Sequence, residues 1–182
     1  MQDRAGNSLQ GCWWSSLGSR LALRAASRED DPFLFCLFCS IRELDFAFLG
    51  ELERKKLLEV QFAAQQKHYQ ANMPEAEHLV VLKDEEPIGR MTLVRRNGEM
   101  HLAEIALLPE HRNQGIGSRL MEKLIKAEAE QGNAIRLHVY KQSASVRFYE
   151  RLGFVAANDD GAYLLMEMFP TSRGVGDGGK IS

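Results

Sequence analysis

Apolar and polar residues alternate along Arg20–Ala26, RLALRAA, with Leu21 and Leu23 on one side, and this period of two predicts a first β-strand. The period then lengthens. Phe33, Leu34, Leu37, Phe38 and Ile41 recur at helical spacing behind Asp31-Pro32, which reads as an N-cap followed by proline at the first helical position. Their apolar stripe is expected to face a sheet. A second helix is predicted over Glu51–Asn72. Leu58, Phe62 and Tyr69 form its stripe, Lys55, Lys56, Gln66 and Lys67 lie elsewhere around it, and Pro74 stops it.

His78–Lys83 is then a short buried strand and Asp84–Pro87 a turn, with Ile88–Arg95 as the next strand. Asn97-Gly98 marks a tight hairpin, because both central positions of a type I′ turn need positive φ, and Met100–Leu108 is the return strand. Leu120, Met121, Leu124, Ile125 and Glu128 set a helix that Gly132 closes as a left-handed cap. Ile135, Leu137 and Val139 alternate with Arg136, His138 and Tyr140 as a further strand. Ser143 caps a short helix reaching Leu152, and strands 154–156 and 162–168 flank a turn over 158–161. The order is β-α-α-β-β-β-α-β-α-β-β, an α/β chain of one domain over residues 20–169. Residues 1–19, rich in Gly, Ser, Asn and Gln around Trp13-Trp14, read as a flexible arm. Residues 170–182 read as a disordered glycine-rich tail.

The chemistry concentrates where the return strand meets its helix, at Ile105–Gly117, IALLPEHRNQGIG. Arg112, Gly115 and Gly117 have the spacing R-x-x-G-x-G. Glycines at those positions remove Cβ atoms, so the backbone can turn tightly and the N–H groups of Gln114, Gly115, Ile116, Gly117 and Ser118 can converge on an anion. The helix start adds its positive pole, and Arg112, followed by Asn113, can add a charge-assisted contact. No Lys-Ser or Lys-Thr follows the second glycine and no third glycine completes G-x-G-x-x-G, which excludes the two other common phosphate loops. G-x-G alone is satisfied by a turn that binds nothing. A second segment, residues 145–154, SVRFYERLGF, changes that weighing, since it follows about thirty residues later with Phe148-Tyr149 and Gly153-Phe154.

Together the two segments resemble the GNAT superfamily of acyl-CoA-dependent N-acyltransferases, whose pyrophosphate loop has the form Q/R-x-x-G-x-G/A. The resemblance implies a mixed, mostly antiparallel central sheet flanked by helices, in which strand 102–108 splays from strand 135–140. It implies acetyl-CoA as co-substrate, bound by residues 112–118 and by backbone groups near Ala106, Leu107 and Leu108, with the Leu107 N–H polarising the thioester carbonyl. Gln142 and Ser145 stand where members often have Asn and Ala in N-x-x-A-x-x-F-Y. They and Phe148 join the cofactor-binding set. Tyr149 matches the family tyrosine that protonates the departing thiolate. The implied reaction is acetyl transfer to a primary amine of a small molecule, amino acid or protein, by direct attack in a ternary complex. A non-catalytic acyl-CoA sensor is the alternative. An alkylamine of pKa ~10.4 is uncharged about once in 2,500 molecules at pH 7, so a base is needed. Glu104, on the strand beside the thioester with Ala103 and Ile105 pointing oppositely, is the candidate, and His138 the second. The first two helices commonly frame the acceptor site in this topology, and Glu43, Asp45, Glu51 and Glu53 fall between or near them. Those carboxylates would attract a cationic amine, but solvated surface charge is the better explanation for most of the four. The family often forms homodimers, to which Tyr163 and Leu165 on the last strands could contribute.

Charge and cysteines narrow the setting. Lys plus Arg number 23 against 25 Asp plus Glu, so no global field attracts nucleic acid or anionic lipid. No apolar run is long enough for a membrane span, and the first twenty residues lack a signal-peptide pattern. Three cysteines, an odd number, fit a reducing compartment, and the expected location is cytoplasmic. Cys36-x-x-Cys39 could be a redox pair, but inside an apolar helix these read as small buried hydrophobes. No metal is called for.

Overall fold

The computed structural model describes residues 20–170; the arm read over 1–19, with Trp13 and Trp14, and tail residues 171–182 lie outside them. The strands are β1 (Leu21–Ala25), β2 (Glu77–Lys83), β3 (Glu86–Arg96), β4 (Glu99–Leu107), β5 (Ile135–Tyr140), β6 (Val155–Asp159) and β7 (Tyr163–Met168). The helices are α1 (Asp31–Arg42), α2 (Glu51–Asn72), α3 (Ile116–Glu130) and α4 (Ser145–Arg151). The strands form one sheet in the order β1-β2-β3-β4-β5-β7-β6. Every neighbouring pair is antiparallel except β4 with β5.

Each face of this sheet carries two helices. On one, Leu79, Val81, Met91, Leu93, Met100 and Leu102 pack with Ile116, Leu120, Met121 and Leu124 of α3 and with Tyr149 and Phe154 around α4. Full burial of a Leu or Met side chain is worth about 1.5–3 kcal/mol, so this cluster is the main core. Its edge is tied by Glu128 of α3, which is fully buried and accepts from Arg95 at 2.7 Å and Asn133 at 2.9 Å. On the other face, Leu34, Leu37 and Phe38 of α1 are buried, and Phe62 of α2 meets Phe35 and Phe38 at ring distances of 5.4 and 5.5 Å.

Local chemistry moves several boundaries. The first helix begins at Asp31 with Asp30 as N-cap, so Pro32 occupies the second position. Asp30 is buried and accepts a forked pair from Arg24 at 2.6 and 2.7 Å and the Ser27 N–H at 2.8 Å. That fork, more than any cap bond, fixes the turn into α1, and it holds the Asp30 carboxyl well below its usual range. Strand β6 continues through Asn158 and Asp159, since the Asp160 carboxylate closes the turn by accepting the N–H groups of Ala162 and Tyr163. Cys36, read as buried, is exposed on α1, and burial pushes the half-buried Cys39 thiol up, away from the thiolate a redox pair needs.

One irregularity decides where the polar groups point. Leu93 pairs with Leu102 and Thr92 with Glu104, which leaves Ala103 as an extra residue in β4, a β-bulge. Met100 and Leu102 enter the core before it, and Ile105 and Leu107 after it. Without the bulge Glu104 would follow Leu102 into the apolar core; with it, Glu104 faces α2.

Candidate active site

Strands β4 and β5 pair only at Met100–Ile135, His101–Arg136 and Leu102–Leu137. Beyond Leu102 they part, while β5 stays paired with β7 along its whole length. The bulge at Ala103 sits where they diverge, and it bends β4 away. The far end of β4 is pressed onto β3 at Gly89, where a Cβ would collide with the Ala106 carbonyl oxygen and come within 2.6 Å of Leu107 Cδ2. The Leu108 N–H donates to Ile88 O at 2.9 Å, so by antiparallel alternation the N–H of Leu107 faces away from β3, into the gap. The Leu107 carbonyl lies on that side too and accepts from Arg112 Nε at 2.8 Å.

The turn from β4 to α3 runs through a 3₁₀ segment, Pro109–His111, then Asn113 and Gly115 with φ of 57° and 74°. Gly115 is the N-cap of α3 and makes no side-chain cap bond, and no acidic residue lies in the first turn. By contrast α1 carries Asp31 and α2 carries Glu51 and Glu53 there. The N–H groups at the start of α3 and its positive pole are therefore left for something outside the chain. The two glycines serve different ends. Gly115 permits a left-handed backbone, whereas a Cβ on Gly117 would stand 3.6 Å from Phe148 Cζ and begin to fill the space between α3 and α4.

That space is a cleft of about 810 Å³ lined by Ile105, Ala106, Leu107, Arg112, Asn113, Gly115, Ile116, Gly117, Ser118, Ser145, Phe148 and Tyr149, and by Ile41, Ala144 and Arg151. Tyr149 is buried, with its ring held between Phe148 and Phe154 at 5.1 and 5.7 Å. Burial pushes its hydroxyl up to about 12. Its proton therefore stays in place at neutral pH.

Glu104 belongs to the opposite face. Its Oε2 accepts from the Tyr69 hydroxyl at 3.0 Å and lies 3.2 Å from Arg90 Nε, which is buried and not aligned as a hydrogen bond. Arg90 also donates to Thr92 Oγ1 at 3.3 Å, and its guanidinium sits 5.5 Å from the Tyr69 ring centre. Burial, then the negative charge of Glu104, pushes the Tyr69 hydroxyl up; burial, then Arg90, brings His78 down. A second cavity, about 320 Å³, lies on this face between α2 and the parting strands, lined by Gln65, His68, Tyr69, Met73, Leu102, Ala103 and His138. Along β4 it takes residues 102 and 103 and the larger cleft takes 105–107, with Glu104 between.

The structure thus gathers most of the residues expected at the cofactor site, and corrects others. Leu108 has no backbone group to offer, because its N–H is spent on Ile88 and its carbonyl accepts from His111 at 2.9 Å. Ala106 lines the cleft, but the alternation that turns Leu107 outward turns the Ala106 N–H toward β3. Gln114 braces the loop from behind, donating to Glu110 O and accepting from Lys83 Nζ at 3.3 Å. Gln142 does not line the cleft; Ala144 does. Ala103, expected opposite Glu104, faces the smaller cavity on the same side as Tyr69. Glu43, Asp45, Glu51 and Glu53 line neither cavity and are exposed. Arg151 and Ile41 were missed. The only sequence signal for Arg151 is a basic residue in the last turn of the helix that carries Tyr149.

Comparison with known proteins assigns the class. A model of the acetyltransferase (GNAT) family matches residues 40–154, and the chain belongs to that family. It is similar to an uncharacterized N-acetyltransferase of Bacillus subtilis, YjcF, at 35% identity over 80 residues, 44% of this chain and 56% of that protein. A putative acetyltransferase of the same organism is 30% identical over 89 residues, 47% of this chain and 58% of the relative. The chain thus spans a little over half the length of these curated relatives. Among solved structures, the PaiA N-acetyltransferase of Thermoplasma acidophilum in complex with coenzyme A superposes with a TM-score of 0.63 at 23% identity, over 82% of this chain and 98% of that one. The spermidine N-acetyltransferase of Vibrio cholerae gives 0.57 at 23% identity, over 84% and 97%. These likenesses show the fold. Among the described residues no helix is long and apolar enough to cross a membrane, and no group of three His, Cys, Asp or Glu is placed to hold a metal ion.

Proposed function

We propose that the protein transfers an acetyl group from acetyl-CoA to a primary amine, with both substrates meeting across the gap between β4 and β5. The observation that carries this reading is the parting of those strands beside the uncapped start of α3: an unpaired strand edge and an anion cradle share one cleft. Gly117 keeps the cradle open, so the residues fit a pyrophosphate joined to an amide-bearing arm. Coenzyme A in the complex of the Thermoplasma relative, and spermine with CoA in that of the Vibrio enzyme, support the same pairing of substrates.

Acetyl-CoA, when bound, supplies the acetyl group as a thioester. The N–H groups of Ile116, Gly117 and Ser118 hold its pyrophosphate, and Arg112 and Arg151 add positive charge at the rim. Leu107 N–H donates toward the carbonyl oxygen on which negative charge gathers. Tyr149 keeps its proton at Oη and offers it as a hydrogen bond to the departing sulfur, which as a thiolate is a weak base because a free thiol has a pKa of about 8.5. Glu104 keeps Oε1 for the amine, directly or through water, while Tyr69 and Arg90 hold Oε2. His138, across the smaller cavity, is the second candidate for that proton. We assign the protein to the cytoplasm, where the exposed Cys36 thiol stays reduced. A second copy is assigned to the β6–β7 edge, where Val155, Tyr163 and Phe169 are exposed.

Acetyl-CoA at a hundred times its Kd is expected to add about 2.7 kcal/mol of stability, a rise in thermal midpoint of roughly 5–10 °C for a domain of this size. No rise with acetyl-CoA, CoA or longer acyl-CoAs overturns the reading.

A further inference from the structure

Past Leu102, β4 has no strand neighbour on its β5 side, yet its end is held from both sides. The peptide group joining Leu107 to Leu108 donates its N–H to Ile88 O of β3 at 2.9 Å, and its carbonyl, facing the gap, accepts from Arg112 Nε at 2.8 Å. The arginine reaches back five residues because the 3₁₀ turn Pro109–His111 folds the chain on itself, with the Arg112 N–H donating to Pro109 O at 3.2 Å. No carboxylate lines the cleft, so the guanidinium is seated there by a directed main-chain bond. A free strand edge leaves such a carbonyl to water or to a pairing chain; here the side chain takes the place of the missing neighbour.

We infer that Arg112 is a positioning residue, whose Nε–H stands in for the absent strand and holds the end of β4 so that the Leu107 N–H keeps its aim into the gap. The use of that N–H, polarising the thioester carbonyl, rests on the function proposed above. The N–H and carbonyl of Leu107 flank one Cα and face the same side, so tying the carbonyl restrains the N–H. A donor fixed in advance needs no rearrangement when charge develops on the acyl oxygen. This role belongs to one nitrogen and not to the positive charge. Glutamine Nε2 lies as many bonds from Cα as arginine Nε and donates without charge, whereas lysine has a methylene there and keeps the charge.

Arg112→Gln, Arg112→Lys and Arg112→Ala separate the two, and Arg112 is exposed, so none of them touches the core. In the ligand-free proteins, amide exchange at Leu108, whose N–H belongs to the clamped peptide, should be about five- to tenfold faster in Arg112→Lys and Arg112→Ala than in the parent and Arg112→Gln. With saturating acetyl-CoA carrying ¹³C at the acetyl carbonyl, the infrared carbonyl stretch should be displaced from its free value in the parent and Arg112→Gln, and should return towards it in Arg112→Lys and Arg112→Ala. Isothermal titration fixes the saturating concentration for each protein, which keeps a change in affinity apart from a change at the carbonyl. Leu108 exchange alike in all four proteins, a stretch undisplaced in the parent, or a displacement kept by Arg112→Lys and lost in Arg112→Gln each overturns the inference. Acetyl-CoA that binds none of the four overturns the proposed function instead, and the exchange rates still decide whether Arg112 holds the strand.

Discussion

Tyr149→Phe is expected to lower kcat about 10²- to 10⁴-fold while leaving the Kd for acetyl-CoA nearly unchanged. The substitution removes one hydroxyl from a ring whose packing is apolar, with Phe148 and Phe154 at 5.1 and 5.7 Å, so the fold and cleft wall persist. What is lost is the hydroxyl proton that the proposed mechanism offers to the departing sulfur. The burial that raises this hydroxyl to about 12 also fixes the sign of its pH dependence. The group is the protonated, competent form at every pH below that value, so it sets no basic limb below about pH 11, and any limb near neutrality belongs to the amine and its base. The same variant separates an enzyme from a sensor. Stopped-flow or steady-state thiol release measures it, and full turnover by the variant would remove Tyr149 from the chemistry.

The second large effect concerns binding. Gly117→Trp should weaken acetyl-CoA by roughly 10- to 100-fold, the equivalent of the 1–3 kcal/mol that overfilling a packed space costs. Its Cβ would already stand 3.6 Å from Phe148 Cζ, and the indole has only the cleft to enter. Gly115 differs in kind. With φ at 74° and nothing within 4 Å of a Cβ, its substitution strains the backbone at the start of α3 without filling the site. Isothermal titration of the Gly117 variant, together with its unliganded melting curve, separates a blocked cleft from a damaged fold. Undiminished affinity in a folded variant would put the ligand elsewhere.

Much of this architecture was legible in periodicity and punctuation. Glu51–Asn72 was bounded by its stripe and Pro74, and the Asn97-Gly98 hairpin by its turn chemistry; both lie where expected, with φ of 52° and 80° at the turn. The tight turn over 113–117 was legible because glycine spacing reports on backbone geometry directly. Residues whose roles depend on a register shift were not. Nothing in M-H-L-A-E-I-A-L announces an extra residue at Ala103, yet that residue turns Glu104 from the core toward Arg90 and Tyr69. Arg90 itself lay in Ile88–Arg95, which the sequence marked only as a strand, and its burial opposite Ala106 is a property of three adjacent strands and a helix.

The central claim is that acetyl-CoA lies along the freed edge of β4 with its phosphates at the start of α3. Amide hydrogen exchange with and without saturating acetyl-CoA tests it most directly. The account predicts slowed exchange at Leu107 and at residues 116–118, with β1 and β6 unaffected. Protection confined to other segments, or none at all under saturation, would contradict it.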